Sequence, residues 1–167
     1  TIKQALDSSA AGDTIFVDAG IYDSYMTVTS EDSAGVNITK DNITLIGKDS
    51  ASTIIDPPGP NSITTMYGIY ADSQQGLVIK NLAVTGAQHG IYFVNVATSV
   101  ISGDSAHSNG FAGFKLSFGS DSNAISGNMA YGNVMGIYVE ACTANTVTNN
   151  LILGNTAPGV IMENCLN

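Results

Sequence analysis

Five short phrases decide the architecture of this chain: GIYAD at 68–72, GIYFV at 90–94, GFKLS at 113–117, GIYVE at 136–140 and GVIME at 159–163. Their glycines, Gly68, Gly90, Gly113, Gly136 and Gly159, are spaced 22, 23, 23 and 23 residues apart. Each is followed by an apolar residue: Ile69, Ile91, Phe114, Ile137 or Val160. Three residues after each glycine stands Ala71, Phe93, Leu116, Val139 or Met162. The position between is variable, held by Tyr70, Tyr92, Lys115, Tyr138 and Ile161. This is the in–out–in alternation of a strand with one buried face. Repetition at a fixed period of this length indicates a solenoid, in which each repeat packs on its neighbours.

Two further ladders run through the same repeat. Val78, Ile101, Ile125 and Val147 mark a second buried strand position. Three residues later come Asn81, Asp104, Asn128 and Asn150, and five beyond those Gly86, Asn109, Asn133 and Asn155. Between these polar marks sit Ala83, Ala106, Ala130 and Ile152, read as pointing into a narrow interior. Each repeat is therefore three short strands separated by polar turns. Asparagine suits such turns because it tolerates left-handed backbone and bonds to nearby main chain. Stacked on its copies, it also forms an amide ladder.

This repeat resembles that of the right-handed parallel β-helix proteins of the pectin-lyase-like superfamily, especially its NosD-like and archaeal surface-protein branches. The N-terminal stretch TIKQALDSSAAGDTIFVDAGIY, with NITLIG and TIID further on, is similar too. The resemblance implies an all-β right-handed parallel β-helix with three strands per rung of about 23 residues and a short N-terminal capping helix. It implies no single activity, because that superfamily includes lyases, glycosidases, epimerases, tailspikes and non-catalytic envelope proteins.

Residues 2–10, IKQALDSSA, read as the capping helix, and TIFV at 14–17 as the first strand. A second strand is expected from Tyr25 to Val28. The charged and small residues 29–37 read as an inserted loop, and PPGPNSIT at 57–64 as another. Asn37 and Asn42 each open an N-glycosylation sequon. From Gly68 the repeats continue to the last residue, so the whole of 1–167 reads as one β-helix domain, a module of a longer solenoid of which about seven rungs lie here.

Composition narrows the partners. The net charge is −9, and the five cationic residues are all lysines. Nucleic acid is not expected, because phosphate binding needs clustered Lys and Arg. No apolar run reaches the ~18 residues of a membrane helix, so no membrane insertion is expected. The reading is of a secreted, extracellular or cell-surface protein.

Cys142 and Cys165, each six residues after a repeat glycine, occupy one ladder on adjacent rungs, as reduced thiols or a disulfide. His89 and His107 fall at different repeat positions and read as surface or turn residues. No metal site is expected from two cysteines without a histidine in register.

The candidate chemistry lies on the repeat-glycine strand. Tyr70, Tyr92 and Tyr138 share its outer face and are suited either to stack on sugar rings or to pair across rungs. Glu140 and Glu163 stack one rung apart, about 5 Å. Such a pair fits nucleophile and acid in a retaining glycosidase, a calcium site, or two solvated acids. The lyases of the superfamily use calcium and an Arg or Lys base; this chain has no Arg, and Lys115 is the one lysine on that face. No other cofactor is indicated.

A second feature is apolar. Leu82, Val84, Met129, Tyr131, Leu151 and Leu153 read as an outward strip on the third strand, suited to lateral self-association. An unguarded final rung adds an end-to-end route. The expectation is thus a non-catalytic envelope or assembly module; the alternative is a carbohydrate-binding or carbohydrate-active β-helix.

Overall fold

The computed structural model describes residues 1–58 and 65–166. The chain winds as a right-handed parallel β-helix, and each rung contributes one short strand to each of three parallel sheets. Sheet 1 runs from Thr14–Val17 through Thr44–Gly47, Val78–Lys80, Val100–Ser102 and Ala124–Ser126 to Thr146–Thr148. Sheet 2 runs from Gly20–Tyr22 through Thr53–Ile55, Ala83–Thr85, Ser105–His107 and Met129–Tyr131 to Leu151–Leu153. Sheet 3 comprises Asp32–Ile38, Thr65–Asp72, His89–Val94, Ala112–Ser117, Met135–Glu140 and Val160–Glu163, with Met26–Thr27 antiparallel at its edge.

Apolar stacks fill the interior. Ile69, Ile91, Phe114 and Ile137 form one column, and Ala71, Phe93, Leu116 and Val139 another; all are fully buried. The repeat glycines are set by close approach between rungs. A Cβ on Gly90 would lie 2.5 Å from the Gly113 carbonyl oxygen, and one on Gly113 2.8 Å from that of Gly136. Ala106 stands 3.1 Å from the same Gly90 position, so a small residue faces a glycine where sheets 2 and 3 meet.

Four parts of the sequence reading differ in the structure. Only residues 29–31 of the expected 29–37 loop lie outside a strand: Asp32–Ile38 is a strand with Ala34, Val36 and Ile38 buried, and a Cβ on Gly35 would lie 3.0 Å from the Gly68 carbonyl oxygen, in the repeat-glycine column. Leu82 and Val84 are fully buried, because the rung holding Gly68 is one residue shorter and its register slips: Val84 pairs with Ala106, and Ile79, not Val78, pairs with Ile101. The same slip puts Leu82 and Ala87, not Asn81 and Gly86, at the feet of the two polar ladders. The expected strand at Tyr25–Val28 reduces to Met26–Thr27, and residues 59–64 of the second expected insertion lie outside the described residues.

The N-terminal helix, α1 (Ile2–Ser8), covers the first rung with buried Ile2 and Leu6. Thr1 and Gln4 form a capping box at its start. Lys40 closes its end: the Nζ donates to the carbonyls of Leu6, Asp7 and Ser9 at 2.6, 3.1 and 2.6 Å. This satisfies acceptors that a helix C-terminus leaves open and places a cation at its negative pole.

At the corners the polar ladders form as continuous side-chain-to-backbone bonds. The Oδ1 of Asn133 accepts from the Asn109 N–H at 3.0 Å, and that of Asn155 from the Asn133 N–H at 3.0 Å. The amide NH₂ of Asn133 donates to the Ala106 carbonyl at 3.0 Å. Ser99, Asn123 and Asn145 form a further ladder at another corner, from Leu77 upward.

One ladder holds an acid among amides. Asp104 Oδ1 accepts from the Leu82 N–H at 2.8 Å, as its stacked asparagines do. The matching Nδ2 of Asn128 donates to the Ile101 carbonyl and to Asn150 Oδ1. By register, Asp104 Oδ2 stands where that amide nitrogen would be, facing acceptors, and it has no partner. Burial holds this carboxyl up at about 7, against the pull of the Leu82 and Ser102 N–H groups and of Lys80. The folded value exceeds the unfolded 3.8, so its contribution is full below about pH 4 and is lost as pH rises through about 7. Asp104→Asn should therefore raise the unfolding free energy by about 2–4 kcal/mol at pH 8 and change it little at pH 4. Denaturant melts at the two pH values check this; an equal effect at both would contradict a neutral carboxyl in the ladder.

Candidate functional site

The outer face of sheet 3 gathers four of the seven tyrosines. Asn37, Tyr70, Tyr92, Lys115, Tyr138 and Ile161 stand in register along six rungs. A parallel row, on the other side of the repeat glycines, holds Ala34, Tyr67, His89, Ala112 and Met135. Tyr67 and Tyr92 therefore pack in a second apolar cluster outside the helix, with Ala34, Val28, Tyr70 and Val94. Beyond the tyrosines runs the row Asp72, Val94, Ser117, Glu140 and Glu163.

The rings contact one another in sequence. Tyr67 stacks on Tyr70 at 4.9 Å and meets Tyr92 edge-on at 5.2 Å. His89 lies 5.0 Å from Tyr92 and 5.2 Å from Phe111, which reaches Tyr138 at 6.1 Å. Lys115 is threaded among them, its Nζ 4.9, 5.8 and 5.3 Å from the centroids of Tyr92, Phe111 and Tyr138. These are cation–π distances. Burial lowers the Lys115 amine below the ordinary lysine range, and Glu140 opposes that shift.

Hydroxyls and acids line the margins. Tyr138 donates to Glu163 Oε2 at 2.9 Å, and Tyr67 to Asp32 Oδ1 at 3.1 Å. Ser117 donates to the Tyr92 hydroxyl at 3.0 Å. Burial, joined by neighbouring acids, pushes Tyr70 and Tyr138 up to about 12, so both remain neutral donors.

Of the residues expected from sequence, Tyr70, Tyr92, Tyr138, Glu140 and Glu163 thus share one face, with Glu140 and Glu163 paired in register. Tyr70 and Tyr138 are half-buried, whereas Tyr92 is largely covered by its neighbours. Sequence reasoning missed Tyr67, His89, Phe111 and Asp32. The alternation loses one step at each repeat glycine, so the residue before it also faces outward; extending the rows backward across the glycine would have found Tyr67 and His89.

The remaining candidates lie elsewhere. Met129, Leu151 and Leu153 are exposed on sheet 2, and Tyr131 stacks on His107 at 4.7 Å. Leu82 and Val84 lie beneath them in the core, so the apolar strip is shorter than expected. Cys142 is buried and Cys165 partly so; both are free thiols bonded to backbone carbonyls of Glu140 and Glu163, at 3.0 and 3.3 Å. Among the described residues, no group of three or more His, Cys, Asp or Glu side chains converges as a metal site. A cleft of about 200 Å³ between α1 and the first strand is lined by Ile2, Ala5, Ile15, Phe16 and Val17 together with Thr1, Asp18 and Tyr22.

His89 is not the surface residue expected: it is 8% exposed, and its Nδ1 has no partner. Burial, aided by Lys115, depresses it to about 3 from the ordinary 6.5. The unfolded chain binds this proton more readily, so acidification from 6.5 towards 3 erodes stability. The His89 ring resonances should hold still between about pH 8 and pH 5 in an NMR titration. A midpoint near 6.5 would contradict the enclosed position.

The comparisons with known proteins follow this geometry. The solved alginate lyase of Paenibacillus sp. str. FPU-7 superposes with a TM-score of 0.77 at 19% identity, over 98% of this chain and 62% of that one. Pectate lyase Pel9A gives 0.80 at 17%, over 96% and 44%. The A-module of the Azotobacter vinelandii mannuronan C-5 epimerase AlgE6 gives 0.70 at 19%, over 95% and 53%. At such identities these likenesses show the fold, and the chain spans 44 to 62% of these neighbours' length. A search of the curated proteins gave no match. A family model described as "Periplasmic copper-binding protein (NosD)" matches residues 6–167. With its rungs and ladders inside that match, the chain belongs to the NosD family of parallel β-helix proteins.

Proposed function

We propose that this chain is a β-solenoid module of the cell envelope or exterior that binds a polysaccharide on the outer face of sheet 3 without turning it over. The observation that carries the reading is the row of half-buried rings at Tyr70, Phe111 and Tyr138, rimmed by Asp72, Glu140 and Glu163. Partly open rings, two of them with a neutral hydroxyl, combine apolar contact with directional hydrogen bonding, as saccharides require. The β-helix neighbours named as lyases and an epimerase support a carbohydrate-related role. The family's periplasmic description supports an envelope location, and no described helix is long and apolar enough to cross a membrane.

The copper in the family's description does not fit the donors present. His89 is enclosed by rings, His107 stacks on Tyr131, and the two thiols meet no third ligand among the described residues. Among the described residues, no three or more carboxylates converge to hold calcium either. Lateral self-association through Met129, Tyr131, Leu151 and Leu153 is a further part of the proposal, motivated by the exposure of Met129, Leu151 and Leu153 on sheet 2 beside the half-exposed Tyr131.

A second reading, turnover with Lys115 as base, is favoured by the lowered amine of that residue. The two readings separate cleanly. Titration calorimetry against a polysaccharide panel should give binding, and Tyr70→Ala with Tyr138→Ala should weaken it about tenfold or more. Product assays on the same panel should show no chain cleavage. Turnover that disappears in Lys115→Met would overturn the non-catalytic reading.

A further inference from the structure

We propose that the saccharide taken by this face carries amino groups, a polymer of amino sugars and not of uronates; this rests on the binding reading above. The charged side chains on the strands of sheet 3 are Asp32, Asp72, Glu140 and Glu163 against Lys115 alone. That single ammonium is already engaged, held over the rings of Tyr92, Phe111 and Tyr138 beside Glu140. An arriving carboxylate would find no free cation on these strands and would have to approach Asp72 and Glu163. The chain's overall charge of −9 adds a field of the same sign.

An arriving ammonium meets the opposite situation. Three of the rings already hold one ammonium of the chain itself in cation–π contact, and Tyr70 and Tyr138 keep part of their surface open. Asp72 and Glu163 are exposed beside those two rings, in hydrogen-bond contact with their hydroxyls at 3.5 and 2.9 Å. Charge-assisted bonds to such carboxylates are stronger than neutral ones. Independently of the acids, the enclosed His89 leaves its Nδ1 without a partner inside the ring cluster. Enclosed and held uncharged, His89 adds no positive charge to attract a uronate.

The test compares three hexasaccharides by calorimetry at physiological salt: glucosamine, N-acetylglucosamine and galacturonate. The glucosamine hexamer should bind at least about tenfold more tightly than its acetylated form, with galacturonate weakest. Asp72→Asn with Glu163→Gln should abolish that preference by weakening the glucosamine hexamer at least about tenfold more than its acetylated form. Asp18→Asn with Asp49→Asn, an equal charge change in the turns between sheets 1 and 2, should leave the preference intact. If that second pair abolishes it too, the attraction is unspecific and the inference fails. Equal or tighter binding of galacturonate, or no preference for the free amine, also overturns the inference but leaves saccharide binding standing. Binding of none of the three in the parent chain would overturn both.

Discussion

Each turn between the short strands leaves corner N–H groups that the sheets do not reach, and they are satisfied from the rung above. The Leu77 N–H bonds to Ser99, Leu82 to Asp104, Ala87 to Asn109 and Val96 to Ser120. A buried unpaired N–H costs about 1–3 kcal/mol, so every corner fixes the identity of a side chain about 22 to 24 residues later. The amide is the best solution because it accepts from the N–H below while its NH₂ returns to a carbonyl of that same rung. Leu77, Leu82, Ala87 and Val96 use the ladders as donors only, which is where the bonding columns begin.

Against this regularity, two titratable groups stand in positions that disfavour their charge. Asp104 replaces an amide inside a corner, and His89 lies under rings outside the helix. Their stability slopes oppose one another. Acidification from about 7 towards 3.8 favours the fold through Asp104, and from 6.5 towards 3 it disfavours the fold through His89. Both depend on neighbours contributed by other rungs, so neither is a local property of its own strand.

The candidate site follows from the same stacking. Tyr67, Tyr92 and Tyr138 are far apart in sequence but share one face because the sheet holds successive rungs in register. A solenoid makes such a face extended and shallow, suited to a polymer more than to an enclosed small molecule. The lyase and epimerase neighbours share the scaffold, whereas chemistry belongs to the side chains placed on it. Here those side chains are rings, tyrosine hydroxyls and acids around one caged lysine.

The sequence by itself determined the period, the three-strand rung, the amide ladders and the shared face of Tyr70, Tyr92 and Tyr138, because constant spacing turns linear alternation into inside and outside. It misassigned Leu82 and Val84 because the rung of Gly68 is one residue shorter, and a one-residue slip exchanges the two faces of a strand. It missed the strand Asp32–Ile38 because Gly35 and Gly68 are 33 residues apart, outside the regular spacing. Only the tertiary structure decided that His89 is enclosed and that Lys115 sits among three rings. Register says which residues are neighbours across rungs, but ring orientation and burial depend on how all those neighbours fill the space outside the sheet together.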